Sequence, residues 1–356
     1  MNTTTGHPQS LARGALGTAL RLAVDTHTEP AAAPDLHDHV RGLGPVVNGP
    51  DAGLFYGAPA LALVLHLAPA GYRLALERLD EVNEALTRRR LTAAFARMDR
   101  RAPAAFAEYD VIRGLSGLGL LWLHRDTRPA LVKDVLTYLV LLTAPTTGDR
   151  PGWWVWHRPD DIQAPGGHAN NALAHGVAGP LAVLALARRR GITVDGHDHA
   201  LRRVLDHLDA ARHDDDTGCW WDRWDRDART TPPPLSWCYG APGLVRAQQL
   251  AALALQDRNR QVMLEQVLLR QLEQIAPGPA ANPCLCHGTG GLLRACERIT
   301  EDATDPGLFR GHIQVLRTWL AASRSPATPG VLDGHAGVRL AIQGSTVPWD
   351  AFLALA

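Results

Sequence analysis

The chain has 356 residues, enough for one large closed architecture or two domains, and enough to bury a core without disulfide staples. Its 36 basic and 36 acidic residues cancel, which argues against a nucleic-acid sleeve or a strongly basic membrane patch. Five cysteines, an odd number, fit free thiols or metal ligands in a reducing compartment better than a disulfide framework.

The N-terminal stretch does not read as a signal peptide, because Arg13 and Arg21 interrupt its apolar run. The longest apolar runs, such as 135–145, are too short to span a bilayer. A cytoplasmic protein is expected. From there a glycine box recurs along the chain. It reads GAPALAL at Gly57, GLSGLGLL at Gly114, GVAGPLAV at Gly176, GAPGLVRA at Gly240, GTGGLLRA at Gly288 and GHAGVRLA at Gly334. The spacings run from 46 to 64 residues, which means repeated supersecondary units joined by variable loops.

Each box is followed by a short run that is apolar nearly all round, such as LALVLHLA or LAVLALA. Such helices are buried on every side. Stretches with a single apolar stripe precede the later boxes, at 201–212, 261–275 and 308–321. Leu264, Val267, Leu268, Leu272 and Ile275 form one such stripe. Valine, isoleucine and aromatic residues do not cluster in alternating runs, so sheet should not dominate. Inner apolar and outer amphipathic helices both bury their faces if the units close into a ring. The predicted fold is all-α, an α/α toroid with six inner and six outer helices, spanning residues 1–356 as a single domain. An open helical solenoid is the alternative.

A ring puts equivalent positions on one rim. The residues shortly before the key glycines are Tyr56, Asp110 (four before), His175, Cys238 (two before), Cys286 with His287, and Asp333. Two cysteines and a histidine are sound zinc ligands, and three protein ligands leave a fourth position open, as in catalytic sites. Yet Cys238 and Cys286 lie 48 residues apart, which matches no zinc finger. Spacing alone leaves zinc ligation and apolar packing of the thiols equally open. Cys219, Cys284 and Cys296 read as packing residues, with Cys284 close enough to Cys286 to serve as a spare ligand. Asp110 and Asp333 both have a helix-capping explanation. Tryptophans cluster in PGWWVWHRPDD (151–161) and CWWDRWDRD (219–227), either as local packing or as an aromatic wall for a peptide.

Together, SWCYGAPG, CHGTGG, NNALAHGVAGP and YDVIRGLSGLG resemble the lanthionine synthetase cyclases, the LanC-like proteins, and all six boxes fall in order. The resemblance implies an α/α toroid holding one zinc ion on Cys238, Cys286 and His287. It implies that peptide cysteine thiols are added across dehydroalanine or dehydrobutyrine to close thioether rings. His175 maps onto the family's acid/base histidine and Asp110 onto its aspartate. The implied partners are a dehydrated precursor peptide, with a leader and a Ser/Thr/Cys-rich core, a dehydratase and an export transporter at the inner face of the membrane. Some members carry a basic residue shortly before the WCYG motif. Here 231–236 read Thr-Pro-Pro-Pro-Leu-Ser, and the nearest basic residues are Arg226 and Arg229. The length and even box spacing favour a stand-alone cyclase without a fused dehydratase or an inserted domain. Two other functions share these features: a peptide-binding or assembly module with little activity, and an enzyme adding glutathione to dehydroamino acids.

Overall fold

The computed structural model describes residues 6–69, 71–146, 150–215, 218–225, 232–275 and 282–356. Each glycine box opens a helix. These are α3 (Ala58–Leu67), α6 (Leu115–Arg125), α8 (Ala178–Arg189), α10 (Ala241–Leu255), α12 (Thr289–Glu301) and α14 (His335–Gln343). A further helix, α1 (Leu16–Asp25), packs between α14 and α3 and closes the circle. The ring thus carries one more inner helix than the six boxes predict. Its entry, Gly14-Ala15-Leu16-Gly17, is a short version of the same box.

Six helices lie outside: α2 (Ala33–Gly42), α4 (Arg73–Asp99), α7 (Pro129–Leu142), α9 (His197–Ala210), α11 (Arg258–Glu273) and α13 (Arg310–Ala322). The predicted stripes at 201–212, 261–275 and 308–321 fall on α9, α11 and α13, with ends shifted by a few residues. The division between layers follows residue type. In α8 every residue from Ala178 to Ala187 is buried, whereas α9 buries one stripe, including Leu201, Val204, Leu205 and Leu208. One short helix, α5 (Phe106–Tyr109), leads into the second box. The only strands among the described residues form two antiparallel hairpins, β1 (Val155–His157) with β2 (Gln163–His168) and β3 (Arg212–Asp215) with β4 (Gly218–Trp221). The architecture is the α/α toroid that the sequence predicts. None of the described helices is long and apolar enough to cross a membrane.

The box glycines are explained by contact. A Cβ on Gly291 would sit 1.9 Å from the carbonyl oxygen of Leu285, and one on Gly240 would sit 2.3 Å from the backbone nitrogen of Ser236. Only glycine lets each helix start fold back so tightly on its own loop. Packed this way, the loops meet edge to edge. Ala174 N–H donates to Cys238 O at 3.3 Å, Cys238 N–H to Cys286 O at 3.2 Å, Cys286 N–H to Leu332 O at 3.1 Å and Leu332 N–H to Ala12 O at 3.1 Å. Leu11 N–H continues to Phe55 O at 2.9 Å, and Val111 N–H reaches Ala174 O at 3.2 Å. Between the loops at 55 and 111 the link is made by Arg90 of α4. Its guanidinium donates to the carbonyls of Pro50 and Ala52, at 2.7 and 2.8 Å, and to that of Arg113.

Below this belt the lumen is filled. The turn Trp349–Leu353 is buried, as are Ala354 and Leu355, with Leu353 O accepting from Trp237 Nε1 and Leu355 O from Arg246 Nε, each at 2.8 Å. Asp350, fully buried, receives Arg294 at 2.7 Å and Arg298 at 2.6 Å. The tryptophans of the hairpin segments are mostly structural: Trp153, Trp154, Trp220 and Trp221 are buried, while Trp156 reaches the surface. All five cysteines are free, and Cys219, Cys284 and Cys296 are buried.

Candidate active site at the mouth of the toroid

Above the filled lumen, the belt of loops surrounds a cavity of about 610 Å³. Phe55, Tyr56, Trp237 and Tyr239 give it apolar walls, so its aromatic lining comes from the boxes and not from the tryptophan-rich hairpins. Phe55 and Trp237 form the floor, backed by Phe352 at 5.4 Å and by Leu353.

Cys238, Cys286 and His287 converge here, with their ligand atoms all within 4.8 Å of one another. The backbone bond from Cys238 to Cys286 fixes the two loops, and Cys238 O accepts in turn from Leu173 and Ala174, so His175's loop is tied to the same point. The donor set suits zinc: two sulfurs and an imidazole, close enough to share one ion, on backbone that is already in register. Electrostatics favour an electron-rich sulfur. The Cys286 thiol hydrogen-bonds Cys238 and draws the Cys238 thiol down to about 5, against the cost of burial and with help from His287. Cys286 is pushed up by the same contact, and His287 is raised by its hydrogen bond to Cys238. Cys284 does not join the cluster, and burial pushes its thiol up to about 11.

A second pair faces the same cavity. His175 Nδ1 lies 2.7 Å from Oδ2 of Asp110, which is fully buried. The other carboxylate oxygen accepts from the backbone nitrogens of Arg113 at 2.6 Å and Gly114 at 2.8 Å. Asp110 therefore holds the turn that leads into α6, without a side-chain cap bond to the helix itself, and it orients a histidine. Asp333 does not cap α14; its carboxylate is taken by Arg13 Nε at 2.8 Å. The cluster of Cys238, Cys286 and His287 and the Asp110–His175 pair thus come together at one cavity.

Three charged residues that line the cavity escaped the sequence reading, Asp51, Arg113 and Arg223. Arg113 was visible as the one cation of the YDVIRG stretch, directly before the box glycine Gly114, but Asp110 drew the attention there; Arg223, a cation beside Trp224, lies away from any box. Arg226, Arg229 and Thr231 lie outside the described residues, while Pro233 and Pro234 line the cavity where a basic residue was sought.

A closed ring of inner and outer helices, with a Cys-Cys-His cluster and an Asp–His pair in its mouth, defines an α/α-toroid protein built around a metal-type centre. The family model described as lanthionine synthetase C-like protein matches residues 6–341. The chain belongs to this family. It is 26% identical to the nisin biosynthesis protein NisC of Lactococcus lactis subsp. lactis over 264 residues, a stretch that covers 68% of this chain and 61% of that protein. Its fold is similar to that of a solved nisin cyclase, with a TM-score of 0.84 at 19% identity, covering 98% of this chain and 92% of that one.

Proposed function

We propose that this chain is a zinc-dependent lanthipeptide cyclase, adding peptide cysteine thiols to dehydroalanine or dehydrobutyrine to form lanthionine and methyllanthionine rings. The observation that carries the reading is one cavity shared by a three-ligand thiol/imidazole cluster and an oriented histidine, in a member of the lanthionine synthetase C-like family. Cys238, Cys286 and His287 would hold one zinc ion per chain. Bound there, zinc keeps a coordinated thiol deprotonated at neutral pH, which is the nucleophilic form.

The residues of the chain supply the rest. Asp110 accepts from Nδ1 of His175 and so turns Nε2 of the ring toward the cavity. Addition of sulfur at Cβ leaves negative charge on the Cα and carbonyl unit. His175, as imidazolium, delivers the proton to Cα, the general-acid task for which a positioned imidazole is suited. The apolar walls of Phe55, Tyr56 and Tyr239 exclude water, which strengthens each polar contact inside.

The substrate is a dehydrated precursor peptide of leader and Ser/Thr/Cys-rich core, supplied in the cytoplasm by a dehydratase. The dehydratase and an export transporter are the partners this reading implies. The test is incubation of the purified chain with a dehydrated peptide, followed by thiol alkylation and mass spectrometry. Ring closure should consume free thiols in the wild type and fall sharply in His175→Asn. Unchanged closure in that variant would reduce the chain to a binding module. Preference for added glutathione over the peptide's own cysteine would make it a thiol-transfer enzyme.

A further inference from the structure

Of the two guanidinium groups at the cavity, Arg223 lies over the Trp224 ring at 4.3 Å. Arg113 is placed differently. Its backbone N–H donates to one oxygen of Asp110, and His175 holds the other, so one buried carboxylate sets the position of both residues. Its carbonyl accepts from Arg90, which fixes the backbone on the other side. The side chain, by contrast, is loosely engaged. Its ion-pair partner among the described residues is Asp161, at 3.8 Å, beyond hydrogen-bond reach. Asp161 is 66% exposed at the tip of the β1–β2 hairpin. A 3.8 Å pair whose acidic partner is mostly in solvent is weak. Arg113 therefore stands on a rigid base with its donors available to the cavity.

We propose that Arg113 binds the carbonyl oxygen of the dehydro residue and holds the negative charge that develops there during ring closure. The assignment rests on the cyclase reading. In the step, the substrate sulfur forms its bond to Cβ, and the Cα=Cβ electron pair moves into the Cα–C–O unit. Charge settles on the carbonyl oxygen against the Arg113 N–H groups. The proton from His175 then bonds to Cα, and the C=O bond is restored. A planar, permanently charged donor aimed at a developing oxyanion in a water-poor site is the arrangement that stabilises such a state most. The three prolines before Ser236 then leave no gap, because the cation comes from the second box instead of the fourth.

The experiment compares wild type, Arg113→Gln, Arg113→Lys and Asp161→Asn, each with its zinc content and melting temperature measured. Arg113→Gln should lower kcat for ring closure by about 100-fold or more, as loss of an oxyanion donor does, with KM nearly unchanged and zinc retained. Arg113→Lys should recover part of the loss, since charge survives without the fork. Asp161→Asn should not lower kcat. Wild-type kcat in Arg113→Gln would overturn the assignment while leaving the cyclase reading intact. An equal drop in Asp161→Asn would make the pair structural and also overturn it. If the wild-type chain closes no rings, the cyclase reading falls and the assignment falls with it.

Discussion

Replacing Asp110 separates the two tasks that its two oxygens perform. In Asp110→Ala, the backbone N–H of Arg113 loses its acceptor at 2.6 Å, while that of Gly114 loses one at 2.8 Å and keeps the carbonyl of residue 110 at 3.1 Å. A stranded N–H costs about 1–3 kcal/mol, so the substitution costs about 2 kcal/mol. With an unfolding entropy of about 2.1 cal/mol/K per residue, a chain of this size should melt about 3 °C lower. Asp110→Asn keeps an acceptor for both N–H groups and should melt within about 1 °C of wild type. It nevertheless offers an amide N–H, not a carboxylate oxygen, to Nδ1 of His175. That disfavours the imidazolium and reverses the tautomer, so ring closure should fall by about 100-fold or more. Thermal melts and the alkylation assay measure the two effects independently. If Asp110→Asn closes rings at the wild-type rate, Asp110 only holds the turn, and the orientation argument for His175 is refuted.

Two further outcomes follow from the packing. The His124 imidazole is pushed down to about 4, chiefly by burial and then by Arg190, and its Nε2 is buried without a hydrogen-bond partner. The unfolded ring titrates near 6.5, so between about pH 6.5 and 4 the unfolded state binds the extra proton. Stability from this group is full above that window and declines through it by about 3 kcal/mol in all; His124→Phe should flatten the decline in melting temperature, and an unchanged slope would show that His124 is not its source. Gly291→Ala would force a Cβ to within 1.9 Å of Leu285 O, next to Cys286 and His287. It should cost about 1–3 kcal/mol and weaken zinc binding, and a wild-type melt with full zinc would contradict the packing argument.

The inner ring was legible because its helices start where backbone presses on backbone. That pressure writes glycine into the sequence at regular intervals, with an all-apolar run after it. The helix α1 was hidden because Gly14 and Gly17 sit so early that no preceding unit gave them a spacing. The long outer helix α4 was hidden because the face it buries at helical spacing mixes Leu79, Leu86 and Leu91 with the polar Asp80, Asn83 and Thr87. Cys238, Cys286, His287, Asp110 and His175 stood out because they lie within four residues before box glycines, and ring closure turns equivalent positions into neighbours. Arg90 bridges carbonyls of two loops from outside the ring, a contact with no local pattern. Asp333 shared the capping explanation with Asp110, and only the approach of Arg13, 320 residues away in sequence, decided against it.

The most direct measurement is metal content set beside ring closure in the same preparations. The wild-type chain should carry about one zinc and close rings on a dehydrated peptide, while Cys238→Ala and Cys286→Ala should each lose zinc and ring closure together. A zinc-free wild type that closes rings at full rate, or cysteine variants that still do so, would contradict the account.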